Sequence, residues 1–148
     1  VAGATLEMCL PSVLELDGLF AELRRVLRPA GTVAALVPSF PSRLGMWRTL
    51  HRCMGGRPSF RNESARANLH WLFAAADFAV LTDQRRTFRL PIPDGAAAGH
   101  AVESLLLGGA WPPDLTPAQL ESARQTLSRC AAPGRSLSVP LRLLVARR

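Results

Sequence analysis

The sequence predicts an α/β fold, with helices alternating with short strands so that a sheet is covered on both faces. Two observations carry that expectation. Leu16, Leu19, Phe20, Leu23, Val26 and Leu27 recur at helical spacing, and Pro29 and Gly31 then stop the helix just before the apolar run Thr32–Val37. That is a helix, a tight turn and a buried strand in succession. At the other end, Val139, Leu141, Leu143 and Val145 alternate with Pro140, Arg142, Leu144 and Ala146, the two-residue period of a strand.

The other elements follow in order. Residues 1–10 read as a short buried strand that runs into a turn at Pro11-Ser12. The helix over Leu16–Leu27 has Glu15 and Asp17 near its start and Arg24, Arg25 and Arg28 near its end, charges that suit the two ends of a helix dipole. Ser42–Met54 reads as a second helix, with Leu44, Trp47, His51 and Met54 on one face and Gly55-Gly56 as its stop. Asn62 is placed to cap a third, running to about Ala76 with Leu69, Leu72, Phe73 and Ala76 inward. Phe78 to about Arg89 is rich in β-branched and aromatic residues and reads as extended. A loop over 91–99 precedes a helix from about Ala98 to Leu107. Thr116-Pro117-Ala118-Gln119 then combines a cap, a proline at the first helical position and the glutamine of a capping box. It opens a helix to about Ala131. The predicted order is β-α-β-α-α-β-α-α-β, in a single domain over 1–148.

Leu16–Val37 (LDGLFAELRRVLRPAGTVAALV) contains E-x-x-R-V-L-R-P-x-G leading into an apolar strand. It resembles the fifth strand, and the helix before it, of class I S-adenosylmethionine-dependent methyltransferases. Met8-Cys9-Leu10 and Leu14–Asp17 are similar to the end of the family's fourth strand and its following loop. Leu72–Leu90 is similar to a helix, turn and sixth strand, and the closing PLRLLVARR to the seventh strand. The resemblance covers nearly the whole chain. It implies a partial Rossmann-like methyltransferase sheet, made of the fourth to seventh strands, with the last strand antiparallel between the fifth and sixth. It also implies that the N-terminal cofactor-binding half is missing. The family's glycine-rich turn lets backbone approach the ligand, and an acidic residue ending the second strand accepts from the ribose. Neither has a counterpart here: Gly55-Gly56 and Gly108-Gly109 are helix stops, and Ala30 replaces the first of a usual glycine pair. The chain begins at Val1 rather than Met and reads as a fragment or processed product of a longer enzyme. Its first strand is left at a sheet edge.

Composition narrows the partners. With 48% hydrophobic residues in 148, the chain can form a core, which excludes a wholly disordered protein. The net charge is +7, and every basic residue is arginine. These arginines are spread along the chain, paired only at Arg24-Arg25, Arg85-Arg86 and Arg147-Arg148. Aromatic residues do not interleave with them as a stacking platform requires, so no nucleic-acid partner is expected. No apolar run reaches the roughly 18 residues of a membrane-spanning helix. No basic-then-apolar leader stands at the N-terminus, so a cytoplasmic setting without a membrane partner is expected. Cys9, Cys53 and Cys130 are odd in number and far apart, which argues against a disulfide framework or a zinc site; no metal is expected.

In open α/β sheets, ligands sit beyond the carboxyl ends of the strands. Those ends are Glu7-Met8-Cys9-Leu10 and Pro38-Ser39-Phe40. The resemblance implies that Glu7 and Met8 approach S-adenosylmethionine and that Ser39 and Phe40 line the substrate pocket. Trp47, Trp71 and Trp111 are candidates to line an apolar substrate pocket. His51, His70 and His100 are available bases if the acceptor must lose a proton, and Arg43, Arg48 and Arg57 are available to an anionic substrate. None has a partner readable from spacing, so no catalytic residue is assigned. The expected function is methyl transfer to a small-molecule acceptor by the longer enzyme, with the isolated chain inactive. The competing expectation is a non-catalytic remnant that serves as a binding or dimerisation module, as a homodimer or otherwise, through the exposed sheet edge.

Overall fold

In the computed structural model, which describes residues 1–148, the strands are β1 (Gly3–Glu7), β2 (Thr32–Pro38), β3 (Ala79–Pro91) and β4 (Ser136–Arg147). The helices are α1 (Leu16–Val26), α2 (Gly45–Cys53), α3 (Ser64–Ala67), α4 (Leu69–Ala75), α5 (Gly95–Leu107) and α6 (Pro117–Cys130). The strands lie in the order β1-β2-β4-β3. β1 and β2 are parallel, Gly3 opposite Thr32 and Glu7 opposite Leu36, which requires a crossover such as α1. β4 returns antiparallel to β2, with Arg147 opposite Thr32 and Leu141 opposite Pro38. β1 forms one edge of the sheet, as expected. No helix is long and apolar enough to cross a membrane.

The residues divide into two packed units. The first is Val1–Ser39, Phe60–Arg86 and Leu141–Arg148, and the second is Phe40–Ser59 and Thr87–Pro140.

In the first unit, the strand register sets which side chains share a face. Ala4, Val33 and Ala146 form one rank, and Leu6, Ala35 and Leu144 the next. They join Leu16, Phe20, Leu23, Ala65, Leu69 and Phe73 of α1, α3 and α4 in one core. Phe20 meets Phe73 edge-on at 4.9 Å between ring centroids. The opposite face carries Thr5, Ala34 and Val145, then Glu7, Leu36 and Leu143. These are exposed or half-buried, which corrects the expectation of helical cover on both faces. The turn between α1 and β2 is tight: Ala30 has a left-handed backbone (φ 60°), and a methyl added at Gly31 would meet the Arg28 carbonyl at 2.8 Å.

The predicted third helix is broken. α3 ends at Ala67 and α4 begins at Leu69. The carbonyls of Arg66 and Ala67 accept from the Arg142 guanidinium at 3.1 and 3.4 Å, and so are turned away from the amides one turn on that a continuous helix would offer them. Glu63 rather than Asn62 stands at the N-cap of α3, and the Asn62 side chain, one residue earlier, accepts from the Ala65 amide at 3.3 Å.

The second unit packs α2, α5 and α6 around Trp47, Leu50, Met54, Ala101, Val102, Leu105, Trp111, Ala123 and Leu127. α2 starts at Gly45 rather than Ser42, because the Ser42 hydroxyl accepts from the Leu44 amide at 3.1 Å and diverts the backbone. Leu44 is consequently exposed, and Leu50 takes a core position. α5 starts earlier than predicted, at Gly95, because the Asp94 carboxylate caps it by accepting from Ala97 at 2.8 Å. α6 carries the capping box that the sequence predicts between Thr116 and Gln119.

Candidate functional site

The carboxyl ends of β1 and β2 stand side by side in the first unit. After Glu7 the chain turns sharply: Met8 adopts φ 56°, and its amide donates to the Leu36 carbonyl at 2.7 Å. A left-handed non-glycine residue costs on the order of 1–2 kcal/mol, so the surrounding structure holds this turn in place. Glu7 is exposed, Met8 half-buried and Cys9 exposed.

Ser39, at the end of β2, is buried, and its backbone is held from below. Arg66, 4% exposed, donates from Nε to the Pro38 carbonyl (3.2 Å) and from Nη2 to the Ser39 carbonyl (3.1 Å). Its Nη1 meets both carboxylate oxygens of Glu63 at 3.1 Å, and its guanidinium lies 4.8 Å from the Phe60 ring centroid. Glu63 is itself oriented by the Phe60 amide at 2.9 Å.

A second arginine continues the network. Arg142, on β4 and 7% exposed, donates to the α3 carbonyls and forms a two-point pair with Asp83 of β3, Nε to Oδ1 at 2.8 Å and Nη2 to Oδ2 at 2.7 Å. These bonds hold the Asp83 carboxyl below the ordinary carboxylate range, against the opposing effect of burial. His70 places Nδ1 at 3.5 Å from Asp83 Oδ2. The result is a chain of polar groups from the end of β2 to a histidine on α4.

The other predicted residues fall elsewhere. Phe40 belongs to the second unit, where the Arg57 guanidinium stacks 4.3 Å from its ring centroid. Trp47 is buried there: its indole donates to the Ser138 carbonyl at 2.7 Å and its ring lies 6.4 Å from Trp111. Trp71 is 65% exposed on α4 of the first unit. The structure therefore brings Glu7, Met8 and Ser39 to one end of adjacent strands, while Trp47 and Phe40 pack in the other unit.

Arg66, Glu63, Asp83 and Arg142 were not singled out in the sequence. Signals for two of the four, Arg142 and Arg66, stand in the sequence. Arg142 is in phase with Leu144 and Ala146 on β4, the buried parity. Arg66 precedes Leu69 and Phe73 at i, i+3, i+7 on an apolar helical face.

The sheet order, with β4 reversed between β2 and β3, is a class I methyltransferase-like fold in part, and the strand ends form its candidate site. Comparison with solved structures agrees. The chain is similar to the MccD protein (10% identity, TM-score 0.51, 99% of this chain and 60% of that one). It is similar also to a candidate methyltransferase from Bacillus halodurans C-125 (12% identity, TM-score 0.51, 99% of this chain and 63% of that one). The chain thus spans under two thirds of the length of either. Neither a protein-family model nor a curated protein matches the sequence.

Proposed function

We propose that these residues form the C-terminal, acceptor-side portion of an S-adenosylmethionine-dependent methyltransferase acting on a small molecule. The observation that carries this reading is the sheet order, with β4 antiparallel to β2 and inserted between β2 and β3; the parallel pairing of β1 with β2 sets their carboxyl ends side by side, at a ligand-binding position for open α/β sheets. A cytoplasmic enzyme with neither a nucleic-acid nor a membrane partner fits the composition.

The residues present do not complete a cradle for S-adenosylmethionine. Glu7 and Met8 offer one carboxylate and one apolar side chain, and the left-handed glycines Gly45, Gly55, Gly56, Gly109 and Gly134 form no glycine-rich turn directly between a strand end and a helix. The main cofactor contacts accordingly come from outside this chain, and the 148 residues alone are inactive. What they supply is orientation: a β2 end whose backbone is clamped by Arg66, so that an acceptor resting on it is held in place, the main requirement for reaction between bound partners.

A second reading is favoured by the sheet surface. β1 is an unpaired edge, and uncovered edges pair with other chains. In that reading the domain is a non-catalytic remnant that associates through β1, with a second copy or another chain.

Calorimetric titration of S-adenosylmethionine into the purified chain, with the mass in solution measured on the same sample, tests both. Absence of binding by a folded monomer is the expected result. Saturable binding by a dimer would mean that a partner copy completes the cradle, and would overturn the inactive-portion reading.

A further inference from the structure

We propose that His70 is the proton acceptor of this site and that Asp83 is the positioning residue that sets its tautomer. The inference rests on the methyl-transfer reading above, in which an acceptor hydroxyl or amine must become a nucleophile.

Three observations lead to it. Arg142 occupies both oxygens of Asp83 at 2.7 and 2.8 Å and keeps the group ionised. An ionised carboxylate can only accept. The His70 ring nitrogen that faces Asp83 Oδ2, at 3.5 Å, is Nδ1, so in the neutral imidazole the hydrogen belongs on Nδ1. Nε2 then keeps its lone pair, on a side chain that is 59% exposed. The charged group that faces His70 from the strands is Asp83 of β3, itself paired with Arg142 of β4. The step is a simple proton transfer: an acceptor O–H or N–H bond breaks, an Nε2–H bond forms, and the electron pair stays on the acceptor heteroatom. The ligand class is a small molecule bearing an acidic hydroxyl or a protonated amine. His100, which is more exposed and lies 3.9 Å from Glu103, has no comparable anchor, because no arginine clamps both oxygens of Glu103.

Long-range proton–nitrogen correlation spectra of the ¹⁵N-labelled chain, recorded well above the ordinary histidine range, read the tautomer directly. His70→Gln and His100→Gln assign the signals. The expected spectrum shows His70 with hydrogen on Nδ1 and a bare Nε2, and a shift toward the Nε2–H form in Asp83→Asn. An Nε2–H tautomer in the wild-type chain would overturn the proposal, and so would an unchanged tautomer in a folded Asp83→Asn. If Asp83→Asn does not fold, the wild-type spectrum decides alone. This readout is independent of cofactor binding, so the Asp83–His70 geometry stands or falls by the spectrum, separately from the methyl-transfer reading, which the titration with S-adenosylmethionine tests.

Discussion

Arg142 holds Asp83 through two parallel hydrogen bonds of 2.7 and 2.8 Å, joining neighbouring strands β4 and β3 on the helix-covered side of the sheet. The same guanidinium ends α3 by taking its last carbonyls. One buried cation thus ties a strand pair, a helix break and a histidine into a single unit.

Removing one half of that pair should be costly. Asp83→Asn leaves the Arg142 charge buried without its counter-ion, and the expected loss is about 3 kcal/mol in urea unfolding. The double variant Asp83→Leu/Arg142→Met removes both charges and should recover a large part of it. A double variant as unstable as the single one would show that the contacts of Arg142 with the α3 carbonyls dominate.

The pH dependence has a definite sign. Arg142 lowers the folded-state pKa of Asp83, so the pair's stabilisation is fully present above the unfolded carboxylate value of about 3.9. It is lost as pH falls through the lower, folded value. Urea midpoints for wild type and Asp83→Asn should differ most near neutrality and converge in acid. A constant gap down to pH 3 would contradict the assignment.

The α1–β2 turn predicts opposite effects at adjacent residues. Ala30 has a left-handed backbone, so Ala30→Gly should stabilise by about 1 kcal/mol. Gly31→Ala would press a methyl against the Arg28 and Ala2 carbonyls, at 2.8 and 3.2 Å, and should destabilise by about 1–3 kcal/mol. Thermal unfolding of the two variants checks the pair.

Trp47 and Trp111 offer a matched comparison. Both are buried in the second unit, but Trp47 donates to the Ser138 carbonyl while the Trp111 indole nitrogen is buried without a partner. The change to Phe removes similar volume at each. Trp47→Phe should cost more than Trp111→Phe by about 1 kcal/mol or more, because an unsatisfied buried donor carries its own penalty. Equal losses in chemical unfolding would mean that an ordered water accepts from Trp111.

Much of the fold was legible along the chain because its signals are local. The α1 periodicity, the Pro29 and Gly31 stop, the Thr116–Gln119 capping box and the β4 alternation each lie within one short segment, and each element formed where those signals stand. Two boundaries shifted through equally local competition, the Ser42 turn that delays α2 and the Asp94 cap that advances α5, whereas the break between α3 and α4 comes from the distant Arg142.

The candidate site was legible only in part. That Glu7, Met8 and Ser39 end adjacent strands follows from strand order, which the resemblance to a known sheet implied. The pairing of Arg142 with Asp83, 59 residues apart, and of Arg66 with the Ser39 carbonyl, 27 apart, has no trace in spacing. An arginine is read along the chain as a solvated charge. Only when the sheet brings β3 beside β4, and α3 beneath the end of β2, does desolvation make its partners obligatory, and with them the break in the helix and the orientation of His70.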